Sequence, residues 1–556
     1  MWETYSFKNT TEFPIAFKRT DIGIYTTFND NYEDTQICIK DKCHTHIFCG
    51  EEASYVMALH MGGKKPHLGM KTIEGSIASY SIERDLEEGS NDRGDFILHP
   101  DIQILQPGES TRIKWEIFCF NDKEEFRKQL LKTSGFPVVE AKAFTYFVGE
   151  TINLSVTTLG EFSQDQIKVW CNKEEVEFSV DYDGKYSKIN CQYLTNEIGE
   201  HRFEIIIAGR KTYALFLVCN PLYELIEKRC HFIADKQQYH KEGSLLDGAY
   251  LIYDNEEDKQ YYSHLDDHNG GRERICMGIL LARFLQKKKV KSLLESLEKY
   301  VEYVYRELYD RETGIVYNDV TRNLDWNRLY NYPWMSLFQL ELYNLFKDTR
   351  YLEDSFRTMK RYYKEGGRTF YGIAIPAVEL ISCLELENMK EEADIFRKEF
   401  IAHSEQILEN GINYPPFEVR FEQSIVAPAI SCLLQAYVIT KDKKFFCEGK
   451  KQLEILNLFN GNQPDYHQYE VSIRHWDGYW FGKYRNYGDT YPHHWSTLTG
   501  IVYLQYSQIT GSEEYREKAR ASFRGCLNLF RQDGSASCAM VFPETVNGEK
   551  GYYYDP

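Results

Sequence analysis

The sequence predicts a multidomain chain, β first and α after: two N-terminal β-sandwich units, then an (α/α)6-toroid-like helical domain. Three observations carry that expectation. Up to about residue 220 the apolar residues fall in short alternating runs separated by turn-forming residues, the period of half-buried strands. Beyond Asn220-Pro221 the apolar period becomes helical, and eleven such stretches follow. Three joints between them share a degenerate pattern at 343–356 (YNLFKDTRYLEDSF), 437–450 (YVITKDKKFFCEGK) and 506–519 (YSQITGSEEYREKA). Each ends one helix, turns, and opens the next on Tyr351, Phe445 or Tyr515, which argues helical hairpins packed side by side.

Residues 1–135 make the first unit. Runs at 21–28, 36–39, 55–59, 76–82 and 111–119 read as strands, with Pro107-Gly108-Glu109-Ser110 a turn after 102–105. Residues 122–133 are helical, with Phe126, Leu130 and Leu131 on one side, and close the unit. Residues 136–220 form the second unit. Seven short strands at roughly ten-residue intervals (143–147, 151–157, 166–171, 176–180, 186–193, 199–208, 211–218) have the rhythm of an immunoglobulin-like sandwich, without its Cys…Trp…Cys framework. Residues 221–556 supply the helices: 222–237, 272–286, 291–309, 334–346, 351–363, 377–386, 390–408, 424–439, 444–458, 495–509 and 513–531. Eleven is close to the twelve of a six-hairpin toroid; a globin-like or solenoid arrangement is the alternative.

At 556 residues the chain is too long for one core. With 42% hydrophobic and 27% charged residues it has the composition of a soluble globular protein. Its 66 Lys+Arg against 84 Asp+Glu give a net charge of −18, which opposes binding to nucleic acid or an anionic membrane. A polyanionic substrate remains compatible if Arg272, Arg274, Arg474 and Arg485 gather locally. No run of 18 consecutive apolar residues is present, and no spanning helix is expected. The start, MWETYSFKNT, has neither a basic n-region nor an apolar h-region. A cytoplasmic location is expected from it, or a periplasmic or secreted one if a signal was trimmed. Fourteen cysteines without a framework spacing read as reduced thiols. Cys38, Cys43, His44, His46 and Cys49 match no standard zinc spacing, so neither metal nor cofactor is expected.

The stretch richest in chemistry is 473–500, IRHWDGYWFGKYRNYGDTYPHHWSTLTG. Trp476, Tyr479, Trp480, Phe481, Tyr484, Tyr487, Tyr491 and Trp495 make eight aromatics in 28 positions, about twice the chain average of 15%. Arg474, His475, Asp477, Lys483, Arg485, Asp489, His493 and His494 stand among them. Neither a helical nor a strand period runs through it, and Gly478, Gly482 and Gly488 permit sharp turns. Aromatic platforms beside titratable groups suit stacking of sugar rings and acid–base work on them; the plainer reading is a structural loop whose rings plug a core.

Three further stretches supply polar and aromatic residues. At 266–274 His268, Asn269, Arg272, Glu273 and Arg274 precede a helix whose N–H groups suit a carboxylate, or an ordinary N-cap on Asp267 or Asn269. At 325–334 Trp326, Asn331, Tyr332 and Trp334 alternate rings and amides that can stack on and hydrogen-bond to a sugar, or simply pack a helix start. At 414–423 Glu418 and Glu422 stand four apart beside two prolines.

A β region followed by helical hairpins, with YNYPW (330–334), FYGIAIP (370–376) and HWDGYW (475–480), resembles the six-hairpin glycosidase superfamily. The likeness covers 221–556 well and the β region loosely. It implies glycoside hydrolase activity or, on closely related toroids, polysaccharide lyase activity, with substrate in a funnel lined by inter-helix loops. The chain reaches Tyr554-Asp555-Pro556 where a twelfth helix is expected, so the ring is short of a helix or closed by another element.

Two chemistries fit such a funnel. Hydrolysis needs a carboxylic acid and a second carboxylate; Asp477, flanked by rings that raise its pKa, is the expected acid, with Asp489, Glu422 and Glu273 as partners. Elimination at a uronic acid needs a cation or amide on the carboxylate and a Tyr or His to take the C5 proton. The expected catalytic residues are Asp477, Asp489, His475, His494, Tyr491 and Glu422. Substrate binding is expected from His268, Asn269, Arg272, Arg274, Trp326, Asn331, Tyr332, Trp334, Trp476, Trp480, Arg485 and His493. The expected function is cleavage of uronic-acid-containing glycans, with an exo-acting, glucuronidase-like hydrolase ranked above a polysaccharide lyase. A non-catalytic glycan-binding protein is the reading from another class. The expected partner is an oligosaccharide or polysaccharide, with neither nucleic acid nor membrane.

Overall fold

The computed structural model describes residues 1–26, 28–85, 93–261, 275–323, 328–415, 421–475, 483–484 and 488–556. The order is β, then α, as the apolar periods predict. Strands Trp2–Lys8, Ser110–Phe120, His67–Glu74, Tyr55–His60 and Cys43–Phe48 lie side by side in one antiparallel sheet. A second sheet holds Ile77–Glu83, Asp95–Pro100 and Ile24–Thr26. Ile47, Val56, Met70 and Trp115 of the first sheet share a core with Ile24, Tyr80, Ile82, Phe96 and Leu98 of the second. One expected strand is a helix instead: α1, Thr35–Asp41, is started by the Asp34 carboxylate, which accepts from the N–H groups of Gln36 and Ile37. Helix α2, Lys123–Leu130, falls where expected and buries Phe126 and Leu130.

All seven strands expected between 143 and 218 form, in two sheets around Ile152, Leu154, Val169, Ile189, Phe203, Ile205 and Phe216. The eleven expected helices form as well: α3 Leu222–Phe232, α4 Ile275–Lys287, α5 Lys291–Tyr303, α6 Asn331–Phe346, α7 Thr349–Lys364, α8 Ala377–Leu386, α9 Lys390–Asn410, α10 Gln423–Thr440, α11 Lys443–Leu456, α12 Thr497–Thr510 and α13 Glu513–Cys526. Five hairpins, α4–α5, α6–α7, α8–α9, α10–α11 and α12–α13, stand side by side, with α3 against α4. In two of them the first helix is the more deeply buried one. α6 and α10 are buried nearly all round, whereas α7 buries a stripe, Leu352, Ser355, Met359, Tyr362 and Tyr363, at helical spacing. By length and composition α10 would also pass for a membrane span; 72% of it is buried inside the protein. Gly278 lets α4 approach its neighbours, since a Cβ there would meet the rings of Phe338 and Tyr300 at 2.7 Å.

The repeated joints have one backbone cause. The helix ends on a left-handed residue, Lys347, Lys441 or Gly511. The next residue, Asp348, Asp442 or Ser512, caps the following helix with its side chain.

The chain does not stay helical to its end. Beyond α13, Ala539–Val541 and Tyr553–Tyr554 join a sheet with Arg474–His475 and Asp489–His493. Thr545–Val546 pairs in parallel with Ile77–Glu83, so the last residues return to the first β region. Segment 457–469 ties the same regions together. The half-buried Lys123 side chain donates to the carbonyls of Asn457 and Asn460 at 3.0 and 2.6 Å. Gln463 and Gln468 donate to the Ile47 carbonyl, and Leu215 pairs with Asp465.

Candidate functional site

Trp495 is the meeting point of the described candidates. It follows strand Asp489–His493 at a tight turn where the chain enters α12. The Arg474 guanidinium lies over its ring at 4.8 Å. The rings of His494 and His493 lie 5.4 and 5.9 Å from it, and that of Tyr330 lies 6.2 Å away. Tyr330 in turn stacks on Trp334 at 6.1 Å, joining the 325–334 stretch to the aromatic one. Gln423, at the start of α10, donates to the Trp495 carbonyl.

Glu422 and Arg474 are brought together as a pair. Glu422 is the residue before α10, and its Oε2 meets Arg474 Nη1 at 2.9 Å, both side chains 6% exposed, while Ser424 Oγ donates to the same oxygen. Strand pairing sets Arg474 opposite Thr490, and the Thr490 hydroxyl donates to the Arg474 carbonyl.

The two adjacent histidines have different environments. His493 is fully buried, and burial drives its pKa well below the usual value, helped by His494 and Arg474. Its Nδ1 accepts the Trp495 backbone N–H at 3.2 Å, which puts the proton of a neutral ring on Nε2. His493 thus caps the turn. His494 is half-buried, its ring 4.0 Å from that of His493, and its backbone N–H donates to the Cys538 carbonyl.

Other expected residues are placed apart from this group. Asp489 is wholly buried and gripped by Arg93, with Nε to Oδ1 at 2.8 Å and Nη2 to Oδ2 at 2.7 Å; the Tyr80 hydroxyl donates to Oδ2 at 3.0 Å. Asp30 binds Arg93 Nη1 at 3.1 Å, and the Thr45 carbonyl accepts from Nη2. Burial pushes the Asp30 carboxyl up to about 7, with Arg93 opposing and Asp489 assisting. Tyr491 is buried in the same neighbourhood, its phenol driven well above its ordinary value by burial and by Asp489, so it is poorly matched to the role of a base. Asn331 donates to Asn318 at 2.8 Å and Tyr332 packs toward Tyr362, both deep in the helices. The backbone of His475 pairs with Asp489. Asp477, His268, Asn269, Arg272, Arg274, Trp326, Trp476, Trp480 and Arg485, with Glu273 and Glu418, lie outside the described residues.

Sequence reasoning missed Arg93 and Asp30; Tyr330 and Phe370, which stand in the motifs YNYPW and FYGIAIP, meet edge to face at 4.6 Å. Arg93 follows the polar sequence Glu87-Glu88-Gly89-Ser90-Asn91-Asp92, and nothing in the sequence shows its burial. Nor did anything mark 457–469 as a joint.

No family model matches the chain, and no curated protein does. Among solved structures, a polysaccharide lyase superposes with a TM-score of 0.95 at 37% identity, over 100% of this chain and 82% of that one. A family 76 glycoside hydrolase from a bovine Bacteroides thetaiotaomicron strain gives a TM-score of 0.40 at 11% identity, over 72% of this chain and 92% of that one. A D-mannose isomerase gives 0.41 at 10%, over 60% of this chain and 95% of that one. The sequence resemblance to six-hairpin glycosidases and their related lyases is thereby met on its lyase side. This chain is a carbohydrate-active enzyme acting on glycans, and it belongs to the family of that polysaccharide lyase.

Proposed function

We propose that the protein is a polysaccharide lyase that cleaves its glycan at a uronic acid by β-elimination. The observation that supports this most is the whole-chain likeness to a polysaccharide lyase at 37% identity. The sequence alone ranked hydrolysis first, and the order is now reversed. Of the carboxylates a hydrolase would use, Asp489 is held by Arg93 and Glu422 by Arg474, while Asp477 lies outside the described residues.

In the proposed reaction Arg474 receives the uronate carboxylate while Glu422 holds its other side. A guanidinium can bridge two carboxylates, as Arg93 does between Asp489 and Asp30. Withdrawing charge acidifies the C5 proton, and the half-buried His494 imidazole takes it. The C5–H electron pair becomes the C4=C5 double bond, the C4–O bond breaks, the leaving oxygen takes a proton from water, and the His494 imidazolium returns its proton to solvent. Trp495, with Tyr330 behind it, offers the face on which a sugar ring stacks. The same reading keeps the two β regions as sandwiches at 1–135 and 136–220, and 221–556 as an (α/α) toroid with the site at one end.

The test is to incubate the protein with uronate-containing polysaccharides and follow the ultraviolet absorbance of the unsaturated product. Absorbance that rises with wild type and falls about 10²–10⁴-fold with folded His494→Ala supports elimination. Reducing sugar without unsaturated product would restore the exo-acting, glucuronidase-like hydrolase.

A further inference from the structure

Arg93 belongs to the first β region, yet its strongest partner is Asp489, nearly 400 residues on in the sequence and at the head of the strand that leads to His493 and His494. The guanidinium is fully buried and takes both Asp489 oxygens, Asp30, the Thr45 carbonyl and the face of Phe96 at 4.4 Å. Tyr80, from the same β region, adds its hydroxyl to Asp489. Arg93 and Tyr80, which both hold the Asp489 carboxylate, come from the N-terminal β region.

The strand so anchored is only five residues long, and two of its positions matter for the proposed chemistry. Thr490 pairs with Arg474, and His493 caps the turn that carries His494 and Trp495. Thr490 is the next residue and His493 the fourth after it, so a shift at Asp489 reaches the Arg474 pairing directly and the turn at His493 through the strand, whose register is irregular between Thr490 and His493. Misplacement of reacting groups by about 1 Å can cost 10²-fold in rate.

We infer that Arg93 is a positioning residue for the site, and that the N-terminal β region thereby completes it. The inference rests on the lyase reading for its rate effects, but part of its test does not. In folded Arg93→Gln, kcat on the uronate polymer falls about 10–10²-fold with KM within about threefold, and Arg93→Lys recovers part of the loss. The double variant Arg93→Gln/Asp489→Asn is no worse than the poorer single, because the two act as a unit. Tyr80→Phe, which removes one donor and should fold, loses about two- to fivefold. Arg127→Gln serves as the control: it breaks the Glu140 pair between α2 and the second β region, away from the strand and turn that carry the site residues, and leaves kcat unchanged.

Independently of any activity, the ring resonances of His493 and His494, assigned by NMR on histidine-labelled protein, move in Arg93→Gln and Tyr80→Phe and stay in place in Arg127→Gln. Unchanged ring resonances, or wild-type kcat in folded Arg93→Gln and Tyr80→Phe, overturn the inference. A wild type without unsaturated product but with shifted resonances in the variants overturns the lyase reading and leaves the positioning role standing.

Discussion

At the scale of single residues, two carboxylates report burial directly. Asp30 is held at about 7 in the folded protein against 3.8 in the open chain, because its charged form is stripped of water beside Asp489. Between those values the folded state binds more protons than the unfolded one, so stability falls as pH rises from about 4 to about 7. Asp555 is also raised to about 7 by burial and adds a slope of the same sign. Asp30→Asn should therefore flatten the decline between pH 5 and 7 without abolishing it, by about 1–3 kcal/mol across that window. Denaturation midpoints of both proteins across the range measure this, and equal slopes would refute it. Asp477, expected as the acid of a hydrolase, has its own test. Under the lyase reading, folded Asp477→Asn keeps turnover within a few-fold, whereas His494→Ala loses about 10²–10⁴-fold.

At the scale of elements, the hairpin joints are where local chemistry is read out most plainly. Lys347 and Lys441 occupy the left-handed region that Gly511 takes in the third joint, with φ of 57°, 61° and 73°. A lysine pays a steric cost there that glycine does not, so Lys441→Gly should be neutral or stabilising by up to about 1 kcal/mol. Asp442→Ala should cost about 1 kcal/mol by freeing the Lys444 N–H. Thermal melts of the pair of variants separate the two effects. Gly278→Ala runs against helix propensity: its methyl would strike Phe338 and Tyr300, and overpacking should destabilise by about 1–3 kcal/mol. A stabilised Gly278→Ala protein would mean that α4 can move outward at little cost.

At the scale of the whole molecule, the β regions and helices are joined by polar contacts. Arg93 to Asp489, Lys123 to the 457–460 carbonyls, and the return of Thr545–Val546 to the first β region all cross the seam. Removing one partner of a buried pair costs about 3–5 kcal/mol, so separating the regions is as unfavourable as opening either alone. Calorimetry should show one cooperative unfolding transition; two resolved transitions would show that the seam contributes little.

What the sequence determined by itself was the order of elements. A strand or a helix announces its period locally, and the seven strands of 143–218 and the eleven helices after 221 could be read in place. Gln36 to Ile39 misled because four alternating residues are too few to outweigh an Asp34 cap. The site was legible only as a set of stretches. Glu422, Arg474, His493, His494 and Trp495 come from two of them, and nothing local says which charge meets which ring. Arg93 and Asp30 could not be found at all. Burial of an arginine depends on two carboxylates arriving from elsewhere in the chain, one of them after nearly 400 residues, and only the tertiary structure decides that meeting.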